Sequence, residues 1–153
     1  MPEHDPARGA ARRPPRAGPA TGYAAGVTPA ATLLYDADCG FCTRAALAVA
    51  RLDRLGRLAL APIGSAVGEL LLGDLTEAER LASWHLVAAS GRRTSAGAAV
   101  GPLCRLLPAL AWLAPVVEAF PGPVDRAYRL VARHRGLLSR LGGAARCPSP
   151  PAP

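Results

Sequence analysis

Lysine is absent from the 153-residue chain, so its formal charge of +7 rests on arginine alone. Aromatic residues make up only 5%, which leaves Leu, Ala and Val to fill a core. No apolar run reaches the roughly eighteen residues of a membrane span. The best candidate, Leu106 to Val117, carries Pro108 and Pro115 and is flanked by Arg105 and Glu118, so it reads as a core or surface helix pair. Behind Arg12 and Arg13 lie mainly Pro, Gly, Ala and Thr, with no apolar run, so neither a Sec nor a twin-arginine leader is indicated and the expected location is the cytoplasm. A dinucleotide fingerprint is missing as well, so no cofactor is expected. Cys104, Cys147, His85 and His134 stand singly, without the second close pair that a structural zinc site needs.

What is present fits a soluble globular protein: half the residues are hydrophobic and 19% are charged. A chain of this length buries about two thirds of its unfolded surface, so one domain folds without a disulfide staple. Four cysteines in a reducing compartment then read as reactive or packed thiols rather than bridges. Six arginines crowd between Arg126 and Arg146. A solvated helix face accounts for them better than a contact with nucleic acid or anionic lipid.

Residues 1 to 29 carry too little apolar surface to offset the entropy of ordering, and 147 to 153 are dominated by proline. Both read as disordered tails around a folded part at 30 to 146. Ala31 to Tyr35 suits a buried strand. From Gly40 to about Leu55 the apolar set Phe41, Ala45, Ala48, Val49, Leu52 and Leu55 recurs at helical spacing, with Gly56 as the expected C-cap. Arg57 to Pro62 alternates like a second strand. A helical crossover follows over 65 to 82, where Thr76 and Glu79 form a capping-box signature. Trp84 to Ala88 is a third strand, and a turn at Ser90-Gly91-Arg92 leads to a fourth at Arg93 to Ser95. Two or three short helices punctuated by prolines come next, then a long helix from Val124 to about Leu141 with arginines opposite its apolar stripe. The order predicts an α/β fold of thioredoxin type: a four-stranded mixed sheet flanked by helices, with extra C-terminal helices.

The chemistry concentrates at Cys39-Gly40-Phe41-Cys42, where a strand runs into a helix. Cys39 falls at the helix N-terminus, where unpaired N–H groups and the dipole favour a thiolate, so it is the candidate nucleophile. Cys42, one turn inside and expected to lie deeper, is the candidate resolving thiol. Their Cβ atoms are about 5 to 6 Å apart in a regular helix, wider than a relaxed disulfide prefers, so a bridge between them opens easily. Asp36 and Asp38 bring negative charge to the first turn and favour a reducing pair. Asp38 also suits the helix N-cap, and Asp36 a proton acceptor for the buried thiol. Phe41, with Gly40 before it, offers contact to a substrate.

The string Tyr35-Asp36-Ala37-Asp38-Cys39-Gly40-Phe41-Cys42 resembles the signature of the DCC family of thiol-disulfide oxidoreductases. Ser83-Trp84-His85-Leu86-Val87, Ser95-Ala96-Gly97-Ala98-Ala99 and Tyr128-Arg129-Leu130-Val131-Ala132-Arg133-His134-Arg135 are similar to the rest of that domain, so the likeness runs over about 30 to 136. It implies a thioredoxin-like fold with Cys39 and Cys42 as the redox pair and Asp38 as acidic partner. The expected partners are a disulfide-containing protein or small-molecule disulfide and an external thiol reductant. Family members usually carry Gly where this chain has Ala37, which costs on the order of 1 kcal/mol if that position requires positive φ. A different reading keeps the fold but not the chemistry: a redox-inactive module that docks a protein or an anionic surface through the 106 to 120 segment and the arginine-rich helix. Elsewhere, His85, Cys104, Trp112 and Tyr128 read as packing residues, and Cys147 as an exposed tail thiol.

Overall fold

The computed structural model describes residues 28–141. The two expected tails, apart from Thr28 and Pro29, lie outside the described residues, as does Cys147. Strand β1 (Ala31–Tyr35) occupies an inner position in the sheet. Its Leu33 and Leu34 point to opposite faces, as successive strand residues must, and neither has exposed surface. Helix α1 (Gly40–Leu52) carries the chain over to β2 (Leu58–Pro62), which pairs parallel to β1 with Ala31 opposite Leu58 and Tyr35 opposite Pro62. After α2 (Ala66–Leu72) and α3 (Glu77–Ala82), β3 (His85–Ala88) pairs antiparallel to β1 and β4 (Arg93–Ser95) antiparallel to β3. The sheet order is β2-β1-β3-β4. Helices α4 (Val100–Leu106), α5 (Ala114–Ala119) and α6 (Pro121–Leu141) complete the described chain, with 3-10 turns at Ala96–Ala99 and Ala111–Leu113. This is the thioredoxin-like α/β arrangement, extended by several C-terminal helices.

Alternation along the strands divides the core in two. Ala31, Leu33 and Leu86 pack with Ala46 of α1 and with Leu103 and Leu107 around α4. Leu34, Ala61 and Val87 pack on the other face with Ile63 and Leu72. Each fully buried leucine contributes roughly 1.5–3 kcal/mol of transfer free energy, so both faces of β1 hold the central layer in place.

Local chemistry shifts several boundaries. Helix α1 stops at Leu52, before the expected Leu55, because Asp53 takes the C-cap position and its Oδ2 accepts the Leu58 N–H at 2.7 Å. The chain is thereby tied to the start of β2. Gly56, at φ +63°, serves that turn instead of capping the helix. The 65 to 82 crossover is two helices, and the second opens with the capping box: Thr76 Oγ1 accepts the Glu79 N–H at 3.4 Å, and Glu79 Oε2 accepts the Thr76 N–H at 2.8 Å. Trp112 does not pack as expected but is 71% exposed, forming a four-residue-spaced apolar stripe with exposed Val116 and Phe120. Helix α5 turns only Ala114 fully inward, and the Trp112 indole N–H is satisfied locally by Ala109 O at 3.1 Å.

Candidate functional site

Strand β1 ends at Tyr35, and Asp36 makes the turn: its Oδ1 accepts the Asp38 N–H at 3.0 Å. Ala37 does not take positive φ, so the cost tied to its missing glycine does not arise; among non-glycine described residues that conformation belongs to Ala96, at φ 53°. The next residue, Cys39, is itself the N-cap of α1, with extended backbone and its Sγ accepting the Cys42 N–H at 3.3 Å. Asp38, expected in that role, is exposed one residue upstream. The sulfur displaces the carboxylate because the first helical bond, Thr43 N–H to Cys39 O at 2.9 Å, begins the helix one residue later than the capping preference of Asp suggested.

A second donor of the same turn is met from far along the chain. Ser139 of α6, fully buried, accepts the Phe41 N–H at 3.1 Å, and Arg44 donates to Leu138 O at 3.3 Å. The end of α6 therefore closes over the start of α1, a contact across 98 residues of sequence that periodicity could not supply.

Cys39 has no exposed surface and is disulfide-bonded, whereas Cys42 is a free thiol and partly exposed. The burial order is thus opposite to the expected one, and the two sulfurs of the motif are not bonded to each other. Cys104 is a free, buried thiol in the core, as its apolar stripe predicted. Cys42 opens onto a cavity of about 390 Å³ whose walls come from α1 (Phe41, Ala45), the residue before β3 (Trp84) and α6 (Tyr128, Val131). Gly40 opens α1 and is not part of this wall. Trp84 and Tyr128 brace one side: their ring centroids are 5.7 Å apart, Tyr128 Oη accepts the Trp84 N–H at 3.1 Å, and the Trp84 indole donates to Ala96 O at 3.0 Å.

Two charged side chains complete the cavity, and sequence reasoning found only one of them. Asp36 is buried, and among the described residues its Oδ2 has no hydrogen-bond partner. The charge pattern puts Arg135 with the solvated arginines of α6, yet it is 7% exposed, lines the cavity beside Cys42 and donates to Leu81 O at 3.2 Å. A signal did exist: Val124, Tyr128, Val131, Arg135 and Leu138 recur at three and four residue steps, which puts this arginine on the apolar stripe. Burial pushes the Cys42 thiol pKa up; the Arg135 charge and hydrogen bond oppose that rise, and the nearby Asp36 adds to it.

His85 is structural: Nε2 donates to Arg80 O at 3.0 Å and Nδ1 accepts from Ser95 Oγ at 2.7 Å, while burial lowers its pKa and keeps the ring neutral. No cluster of three His, Cys, Asp or Glu side chains able to hold a metal occurs among the described residues, and none of their helices is long and apolar enough to cross a membrane.

No curated protein and no solved structure matches the chain. The sequence profile of one family does, over residues 33–141, a span that opens inside β1, includes the Cys39 to Cys42 turn and ends with the helix that closes over it. With the cysteine pair at a strand-to-helix junction of a thioredoxin-like sheet, and that profile spanning both, the chain belongs to the DCC1-like thiol-disulfide oxidoreductase family.

Proposed function

We propose that the chain is a disulfide reductase in which Cys39 attacks a substrate disulfide and Cys42 resolves the mixed disulfide. The observation that carries this reading is the Cys39 sulfur at the open end of α1, accepting the Cys42 N–H at 3.3 Å. That donor and the helix dipole favour the thiolate once the bond on Cys39 is opened, and a stabilised thiolate is a good leaving group as well as the attacking species. Resolution starts from a mixed disulfide on Cys39, with Cys42 as the free thiol three residues on. In that step Cys42 loses its proton, its sulfur attacks Cys39 Sγ, the existing S–S bond breaks, and the displaced sulfur leaves and takes up a proton. Over the full reaction the two thiols yield two electrons and two protons to one disulfide. An external thiol reductant restores the pair, and a reducing compartment such as the cytoplasm keeps it restored.

Asp36, buried at the cavity beside Cys42, is the proton acceptor for a thiol that its surroundings hold protonated. Asp38 adds negative charge at the first turn, which favours a reducing pair. Phe41 and Gly40 supply apolar and close-approach surface beside the sulfurs. Trapping with Cys42→Ser tests the assignment: disulfide substrates should remain bound to Cys39. Recovery of none, together with a pair that does not titrate reversibly, would refute it.

The exposed stripe of Trp112, Val116 and Phe120 favours a second reading, a docking module without redox function. A reduced Cys39 that reacts no faster than an ordinary peptide cysteine would favour the module.

A further inference from the structure

Cys42 lines a cavity that Cys39 does not reach. The cavity beside it, about 390 Å³, falls in the range of small-ligand sites and exceeds what one side chain fills. Its apolar walls come from separate elements, with Phe41 and Ala45 on α1, Val100 on α4, Val117 on α5, and Tyr128 and Val131 on α6. At its polar end Asp36 and Arg135 are each more than nine-tenths buried, and Asp36 Oδ2 has no hydrogen-bond partner among the described residues. A buried oxygen in that position is costly until a donor reaches it, and a bound molecule can bring one. Cys39 is fully buried and takes no part in the wall, yet its sulfur lies 3.3 Å from the Cys42 backbone nitrogen.

We infer that the cavity admits low-molecular-weight disulfides with an aromatic or branched apolar body and presents their sulfur to Cys42, a second route into the pair. The inference rests on the pair being competent for exchange, and it adds a substrate class and a direction of approach. Once the external thiol reductant has opened the existing bond on Cys39, the chemistry balances within the reduced pair. The Cys42 proton passes to the Asp36 carboxylate, the Cys42 sulfur attacks one sulfur of the substrate, its S–S bond breaks, and the first half leaves and takes up a proton. Cys39 then attacks Cys42 Sγ from the buried side, which expels the second half as a thiol into the cavity and leaves the Cys39–Cys42 disulfide. An external thiol reductant returns both cysteines to thiols.

The test uses the full-length chain with Cys39→Ser, which removes the pair and keeps Cys42. Its reaction with dipyridyl disulfide is compared with that of hydroxyethyl disulfide, each rate divided by the rate with an ordinary peptide cysteine. Burial of the aromatic body should give a preference of at least about tenfold for the first reagent at Cys42. Ala45→Leu and Ala132→Leu, which fill the cavity from α1 and from α6, should bring the ratio close to one. Bipyridine, the same body without sulfur, should slow alkylation of Cys42 saturably in the unfilled protein, a readout that holds even if a filled variant does not fold. Equal normalised rates, a preference that survives both fillings, or no protection by bipyridine would overturn the inference. Reversible titration of the intact pair without selectivity refutes the pocket alone; selectivity without reversible titration refutes the reductase reading alone.

Discussion

Arg135→Met removes a guanidinium that lies buried against the Cys42 thiol. What remains around the sulfur is its burial and the Asp36 carboxyl, which favour the neutral form, against the smaller pull of a backbone hydrogen bond. An opposite charge at contact distance is worth on the order of tenfold or more in the fraction of an acid that is ionised, and the lower end applies where water reaches one side of the group. Alkylation of Cys42 by iodoacetamide at neutral pH should therefore fall about tenfold, read from the modified peptide by mass spectrometry. The limiting rate at high pH should not change, because the same thiolate reacts in both proteins. Arg135→Lys should recover most of the loss, since it keeps the charge though not the planar fork. Leu81 O loses its donor in the methionine variant, so an unfolding measurement accompanies the kinetics and should show a loss of about 1–3 kcal/mol. A pH profile that superimposes on that of the parent protein would refute the electrostatic argument. A lower limiting rate with an unmoved midpoint would make Arg135 a packing residue only.

Ser139→Ala takes away the acceptor of the Phe41 N–H and should lower unfolding free energy by about 1–2 kcal/mol in urea; unchanged stability would mean that this donor finds another partner. Gly97→Ala would place a Cβ 2.6 Å from Asp125 Cα, so it should destabilise by about 1–3 kcal/mol, whereas Ala96→Gly next to it, relieving φ 53°, should gain up to about 1 kcal/mol. For His85 the folded protein disfavours the charged ring, so below the ordinary pKa of 6.5 the unfolded chain binds the extra proton and stability falls with pH. Urea midpoints measured on either side of that value should show the drop, and His85→Gln should flatten it; a parent protein with no such slope would contradict the burial argument.

Most of the fold is legible because its signals are local. Alternation in β1, β2 and β3 and three-to-four spacing in α1 and α6 reflect side-chain geometry that each segment carries with it. The Thr76 capping box is another such case, complete within four residues. Boundaries move where one side chain competes with the pattern, as Asp53 does in ending α1 early. Trp112 illustrates the complementary failure, since an apolar residue in an apolar run says nothing about which neighbour covers it.

The sequence by itself determined the order of strands and helices, the placing of Cys39 and Cys42 at a strand-to-helix turn, and the acidic residues beside them, because periodicity, turn chemistry and short spacings act within a few residues. Only the tertiary structure decided which sulfur faces the cavity, which arginine is buried, and which distant hydroxyl meets the first turn of α1. Those outcomes depend on how α6 meets α1 and α3, where residues some fifty to a hundred positions apart come into contact, as Arg135 does with Leu81 and Ser139 with Phe41. Burial and the electrostatics that follow from it are properties of that packing, and no single segment holds them.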